Sequence, residues 1–257
     1  MIDTHCHMEQ SEYDSDRGAL LRQCKAAGLK AVVTSCARPQ DFALTMDIAR
    51  KHRGFVFPTL GIHPEFIKDI KPEEIDGFLE TIRANKKDVV GVGEVGLDYN
   101  WVKEPEWREK QKELFRRMIR LSEELKKPLV IHARDAYEDV VEILEHEGAS
   151  RVQLHMFGAS HLVRRVEGNG WFVSVNTILL KSKKHKKLVR DMPLDRLMLE
   201  TDAPWLAPEG WESKRNDPRA IRPVAEKIAE IKKASFDQVW EQCGRNAVEF
   251  FSLPVRI

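Results

Sequence analysis

Two histidines one residue apart, His5-Cys6-His7, stand within the first seven positions of the chain. Alternate residues of a strand share a face, so both imidazoles, with Asp3 below them, can point toward one axis. Two imidazoles spaced this way can bind one borderline cation such as Zn²⁺ or Mn²⁺. Further groups of the same chemistry end short apolar runs. Glu94 follows Val89-Val90-Gly91-Val92-Gly93, His132 follows Leu129-Val130-Ile131, and His155 follows Val152-Gln153-Leu154. Asp202 follows Leu197-Met198-Leu199-Glu200-Thr201, and His63 ends the run from Val56 to Ile62. A carboxylate closing an apolar strand is costly unless a cation or a donor balances it. Glu94 has two readings, a salt bridge to an arginine or a metal ligand whose two oxygens bridge ions about 3.5–4 Å apart. Asp202 can form a turn, or bind metal and position and deprotonate a water. Two cations sharing a water bring its pKa toward neutrality and stabilise charge on the attacked oxygen. That is chemistry for hydrolysing a phosphodiester, an amide or an ester. No serine-elbow motif, glycine-rich nucleotide loop or His-Glu-x-x-His helix competes with it.

These residues are far apart in sequence, so the fold must bring them together. Short β-branched runs predict strands at 2–5, 31–35, 56–62, 89–94, 129–132, 152–155, 171–176 and 196–201. Continuous apolar runs of this kind suit strands buried on both faces of a parallel sheet. Helical patterns alternate with them at 16–27, 39–51, 72–85, 106–126, 136–147, 162–166, 183–190 and 219–232. Glycine after Ala27 and proline near the starts of the second and third are ordinary helix stops and starts. Strict βα alternation implies parallel strands with right-handed crossovers. Eight units predict a single TIM-type (β/α)₈ barrel over residues 1–257, with an extra C-terminal helix at 236–251; an open doubly wound sheet is the rival. In a barrel the C-terminal strand ends share one rim, where catalytic groups gather.

Bulk composition sets few limits. A chain of 257 residues can bury a large core without disulfides or structural metal, so a metal here serves chemistry. Its 42 basic and 41 acidic residues nearly cancel, and only their distribution can point to an anionic partner. Cys6, Cys24, Cys36 and Cys243 form no Cys-x-x-Cys pair, and no apolar run reaches the length of a membrane span. Cytoplasmic placement with reduced thiols is the expectation. Neither a membrane nor an obligate protein partner is called for.

The motifs resemble a known family. Asp3-Thr4-His5-Cys6-His7, Gly61-Ile62-His63-Pro64, Gly93-Glu94-Val95-Gly96-Leu97-Asp98-Tyr99, His132-Ala133-Arg134, His155-Met156-Phe157 and Glu200-Thr201-Asp202-Ala203-Pro204 stand in the order of the TatD-type metal-dependent deoxyribonucleases of the amidohydrolase superfamily. Gly244-Arg245-Asn246-Ala247 is similar to the family's closing helix. The resemblance covers nearly the whole chain and implies a (β/α)₈ fold with one or two divalent ions, Zn²⁺, Mn²⁺ or Mg²⁺. By that match His5, His7, Glu94 and Asp202 hold one ion and Glu94, His132 and His155 the other, with Glu94 shared. Asp202 and Glu94 are then the catalytic carboxylates, and His63 contacts substrate phosphate. The implied activity is hydrolysis of DNA, often 3′→5′ on single strands. The chain departs from the family pattern at Met156-Phe157-Gly158-Ala159, at Glu65 and at Ala133. All three departures touch substrate contacts rather than ligands.

Several side chains could meet a nucleic acid. Arg134 could clamp a phosphate, or pair with a rim carboxylate. Lys181–Lys187 is a basic run, read either as a solvated helix face or as a phosphate track. The long loop after the eighth strand carries Trp205, Trp211, Lys214, Arg215 and Arg219, and Trp205 could stack a base or pack the loop down. Two alternatives stand beside the nuclease. One is an amidohydrolase-type enzyme for a small amide, lactone or phosphoester; the other is a catalytically silent metal-binding or interaction protein. The mouth of the pocket discriminates: an open basic groove favours a polymer, a closed apolar pocket a small molecule.

Overall fold

The computed structural model describes residues 1–257. Eight parallel strands are hydrogen-bonded in sequence order: β1 (Ile2–Cys6), β2 (Ala31–Cys36), β3 (Val56–Leu60), β4 (Gly91–Asp98), β5 (Leu129–Arg134), β6 (Val152–Leu154), β7 (Phe172–Val175) and β8 (Leu197–Leu199). Helices α1 (Arg17–Ala26), α2 (Phe42–Lys51), α3 (Pro72–Ala84), α4 (Pro105–Leu125), α5 (Tyr137–His146), α6 (Val163–Gly168), α7 (Lys183–Asp191) and α8 (Ile221–Lys232) follow the strands in turn. A ninth, α9 (Phe236–Phe251), is the predicted addition. Strand order from 1 to 8 and contact between the first and last strands exclude the open sheet.

The helices form where an apolar stripe meets a start signal. In α4, Leu114, Met118, Leu121 and Leu125 recur at helical spacing and are buried, with Pro105 in the first turn. In α9, Ser235 Oγ accepts from Gln238 N at 3.1 Å while Gln238 Oε1 accepts from Ser235 N at 2.9 Å, a reciprocal cap. Ala247, Phe250 and Phe251 of α9 pack against Ile2, Ala31, Val33, Val130 and Met198, sealing the floor of the barrel. Above this apolar layer Gln153 Nε2 donates to Thr4 Oγ1 at 3.0 Å and to Ser174 Oγ at 2.7 Å.

Side chains together with a few backbone bonds, rather than a full ladder, close the seam between β1 and β8. Thr4 Oγ1 donates to Leu199 O at 2.9 Å, and Asp202 N donates to His5 O at 2.9 Å. The Asp3 carboxylate accepts from Thr201 N at 3.1 Å and Thr201 Oγ1 at 2.6 Å. Asp3 is therefore spent on the seam and does not join His5 and His7, because the register of β1 breaks between Asp3 and Cys6.

One expected boundary is wrong in an informative way. The sequence predicts that the fourth strand stops at Glu94, yet β4 runs on to Asp98, pairing Val95 with Ile131 and Asp98 with Arg134. Its register breaks between Val92 and Val95, a bulge. Val92, Val95 and Leu97 all lie in the apolar layer under the helices. The extra residue between Val92 and Val95 thus resets which side chains face inward, leaving Glu94 and Asp98 on the inner face. Gly96 permits the close approach of β5: a Cβ there would meet His132 O at 2.0 Å.

Asn246 ties α9 to the barrel. Its Nδ2 donates to Leu194 O at 2.9 Å and to Leu197 O at 2.7 Å. Asn246→Ala strands these carbonyls and should cost about 1–3 kcal/mol. Calorimetry should show a fall in Tm of roughly 3–10 °C with activity at 25 °C retained, since α9 lies at the far end from the strand C-termini. An unchanged Tm would show that the tie is dispensable.

Candidate active site

Strand β1 delivers His5, β4 Glu94 and Asp98, and β5 His132; His7, His155 and Asp202 stand just past β1, β6 and β8, and His63 precedes a short helical turn at Pro64–Lys68. All eight are buried. Asp202 has φ +58°, a conformation aspartate tolerates better than most residues.

Glu94 divides the cluster in two. Its Oε2 lies 3.3 Å from His5 Nε2 and 3.6 Å from His7 Nε2. Its Oε1 lies 2.9 Å from His132 Nδ1, 3.0 Å from His155 Nε2 and 3.4 Å from His63 Nε2. Asp202 Oδ1 stands with the first group, 3.3 Å from His7 Nε2 and 3.8 Å from His5 Nε2. Ring nitrogens also face one another: His5 and His7 at 3.2 Å, His132 and His155 at 3.3 Å. Two imidazole lone pairs at that separation repel unless a proton or a cation lies between them. The donor set of imidazoles and carboxylates therefore fits divalent metal, and His5, His7 and Glu94, or His63, Glu94 and His132, converge closely enough to hold an ion.

The outer nitrogens of three rings rest on carboxylates. His132 Nε2 is 2.9 Å from Asp98 Oδ2, His7 Nδ1 3.3 Å from Glu9 Oε1, and His155 Nδ1 3.6 Å from Glu200 Oε1. The Asp98 contact is a hydrogen bond that sets the His132 tautomer and turns its other nitrogen inward; Glu9 and Glu200 stand behind the other two rings as nearby charges. They are fixed in turn: Thr34 Oγ1 donates to Glu9 at 2.8 Å, and Met156 N donates to Glu200 at 2.9 Å. Burial alone would raise the Glu94 carboxyl, but interaction with the imidazoles around it, His155 foremost, holds it well below the usual carboxylate range. Asp202 is likewise held down against burial, chiefly by His7. Burial and the neighbouring His132 push His63 down to about 3, so it is a neutral ring at physiological pH.

The cluster forms the bottom of a cleft of about 680 Å³. Arg134 and Trp205, expected at the substrate, both line it, and so does His63. The Trp205 ring is 4.9 Å from that of His7 and 44% exposed. Arg134 stands 5.7 Å from the ring centre of Trp101, which is 62% exposed. The remaining residues of the last loop turn elsewhere. Arg215 pairs with Asp16 at 2.7 Å and Arg219 with Asp217 at 2.8 Å. Trp211 donates to Asp217 at 3.2 Å, and neither these residues nor Lys214 lines the cleft. Of the basic run, only Lys184 and His185 reach it.

Sequence reasoning passed over Glu9, Asp98 and Glu200, the three carboxylates behind the rings, and Arg38 and Trp101 on the rim. Asp98 and Glu200 carry a signal, since each lies within a motif already singled out and at an even spacing from a site carboxylate. Glu9, Arg38 and Trp101 carry none.

Comparison with known proteins shows the family. Residues 2–252 match the family model described as TatD related DNase. A Bacillus subtilis protein named uncharacterized metal-dependent hydrolase YabD is 34% identical over 98% of this chain and 99% of its own. Human deoxyribonuclease TATDN3 is 33% identical over 98% of this chain and 94% of its own. The crystal structure of YJJV, a TatD homolog from Escherichia coli, superposes with a TM-score of 0.90 over 99% of this chain and 98% of that one, at 23% identity. The chain belongs to the TatD-related DNase family and is a metal-dependent hydrolase of ester bonds.

Proposed function

We propose that this hydrolase cleaves phosphodiester bonds of DNA, acting on a single strand drawn into the cleft. The observation that carries the reading is the division of Glu94 between two groups of imidazoles, which suits two ions sharing one carboxylate. His5, His7, Glu94 and Asp202 would hold one ion, and Glu94, His132 and His155 the other. Imidazole-rich donors favour Zn²⁺ or Mn²⁺, and Mg²⁺ fits the carboxylates. Bound there, the ions would supply Lewis acidity, making a water nucleophilic near neutral pH and neutralising charge on the phosphate.

The protein's own groups do the rest. Asp202, kept ionised by its histidine neighbours, is the acceptor for the proton of the attacking water. Glu94 and the outer carboxylates fix the rings. His63, neutral and facing the cleft, contacts a phosphate oxygen, with Arg134 as the charged clamp beside it. Trp205 offers an exposed ring for a base. An open mouth with exposed tryptophans and cations suits a polymer better than a small amide or lactone. The relative named a deoxyribonuclease, 33% identical over nearly the full length, supports the same substrate. Four free, buried cysteines suit a reducing compartment such as the cytoplasm, and no helix is long and apolar enough to cross a membrane.

Glu94→Gln and Asp202→Asn should each reduce cleavage of a labelled single-stranded oligonucleotide by roughly 10²–10⁴-fold while circular dichroism stays native. Near-normal rates in both variants would end the proposal. Stripping with a chelator should abolish activity and lower Tm by roughly 5–10 °C, as expected for loss of an ion present at about a hundred times its Kd; readdition of Mn²⁺ or Zn²⁺ should restore both. Glu200→Gln should weaken metal affinity about 10–100-fold in a competition titration with a fluorescent chelator. Affinity equal to that of the parent chain would remove Glu200 from the site.

A further inference from the structure

Lys184 and Gly158 form an arrangement that the metal chemistry does not use. Lys184 stands in the first turn of α7, at the positive end of the helix. That turn is pinned by Ser182, whose Oγ accepts from His185 N and lies 2.8 Å from His185 Nδ1. His185 is buried beneath, so the neighbouring lysine leaves the helix from a fixed point. Lys181, three residues earlier, spends its charge on Glu209 at 3.5 Å. Lys184 meets no carboxylate; its ammonium lies on the cleft, 5.8 Å from the ring centre of Tyr137.

Gly158 makes the room. A Cβ built on it would lie 3.1 Å from Lys184 Nζ, 3.1 Å from Lys184 Cε and 3.1 Å from Tyr137 Oη. The ammonium and the phenol hydroxyl thus lie side by side against a residue with no side chain, three positions after His155. Tyr137 is held edge-on to Phe157 at 5.2 Å between ring centres. Both donors face the cleft and neither is spent on a protein acceptor. Two unspent donors side by side on the cleft, one of them charged, match an oxyanion bearing more than one acceptor oxygen.

We propose that Lys184, seated over Gly158 beside Tyr137, is a substrate-positioning residue that grips a backbone phosphate of the strand on the β6–β7 side of the cleft. The assignment rests on reading the cleft as a nucleic-acid phosphodiesterase site. It adds a phosphate contact separate from the scissile one. A side chain at position 158 and the ammonium of residue 184 then compete for the same space, so the two positions are coupled.

The test measures binding and turnover separately on the metal-loaded protein. Anisotropy with a fluorescein-labelled single-stranded oligonucleotide gives affinity as a function of salt. Lys184→Met should weaken binding about tenfold and reduce the slope of log K against log salt by about 0.7, the loss of one phosphate contact on a single strand. Lys184→Arg should keep the slope. Gly158→Ser, which pushes the ammonium aside, should weaken binding similarly, and adding it to Lys184→Met should cause no further loss. In cleavage assays KM should rise for Lys184→Met by more than kcat falls. An unchanged salt slope in Lys184→Met, additive losses in the double variant, or a wild type that does not bind the oligonucleotide would each overturn the assignment. A wild type that binds the strand without cutting it would overturn the nuclease reading and leave the phosphate grip standing.

Discussion

A single carboxylate, that of Glu94, lies buried among five imidazoles at the centre of the barrel mouth. An anion removed from water is expensive, and so is a set of ring nitrogens turned toward one another. Each cost is met by the other only if positive charge is shared between them, as protons or as metal. The rest of the upper barrel follows from that constraint. Asp98, Glu9 and Glu200 hold the rings from outside, and Thr34 and the backbone N–H of Met156 hold two of those carboxylates in turn. The cluster is thus set by two layers of polar contacts, and the precision of the inner layer depends on the outer one.

The backbone contributes through two irregularities. A regular strand at β1 would turn Asp3, His5 and His7 to one side, and a regular β4 would bring Gly93 and Val95 inward in place of Glu94 and Asp98. Bulges in both strands change the alternation at the point where chemistry begins. Below the bulges the barrel is packed by apolar side chains and sealed by α9; above them it is polar and open. The division between a stabilising floor and a reactive mouth is therefore made within single strands.

The cluster of imidazoles and carboxylates was legible in the sequence because its members interrupt apolar runs. A histidine after Leu-Val-Ile is conspicuous, and such interruptions at the ends of six of the eight strands share a rim only if the strands form a barrel. Of the supporting acids Asp98 and Glu200 lay inside visible motifs, but Glu9 looks like any surface glutamate until its ring partner is known. The extent of β4 was missed because a bulge leaves no mark in an apolar pattern beyond its glycines. The loop after β8 misled for a different reason. Its aromatic and basic residues suited nucleic acid by composition, yet Arg215 and Arg219 found aspartates close by and only Trp205 turned to the cleft. The departure at Gly158 gained a meaning only when Lys184 was seen beside it.

The seam between β1 and β8 joins the opening residues of the chain to those some two hundred positions later, through Thr4, His5 and Asp3 on one side and Leu199, Asp202 and Thr201 on the other. During synthesis the N-terminal histidines emerge first and wait for their last neighbour. A growing chain still short of Asp202 has an open barrel and an incomplete set of donors. Translation itself thereby withholds the complete cluster until the fold is nearly finished.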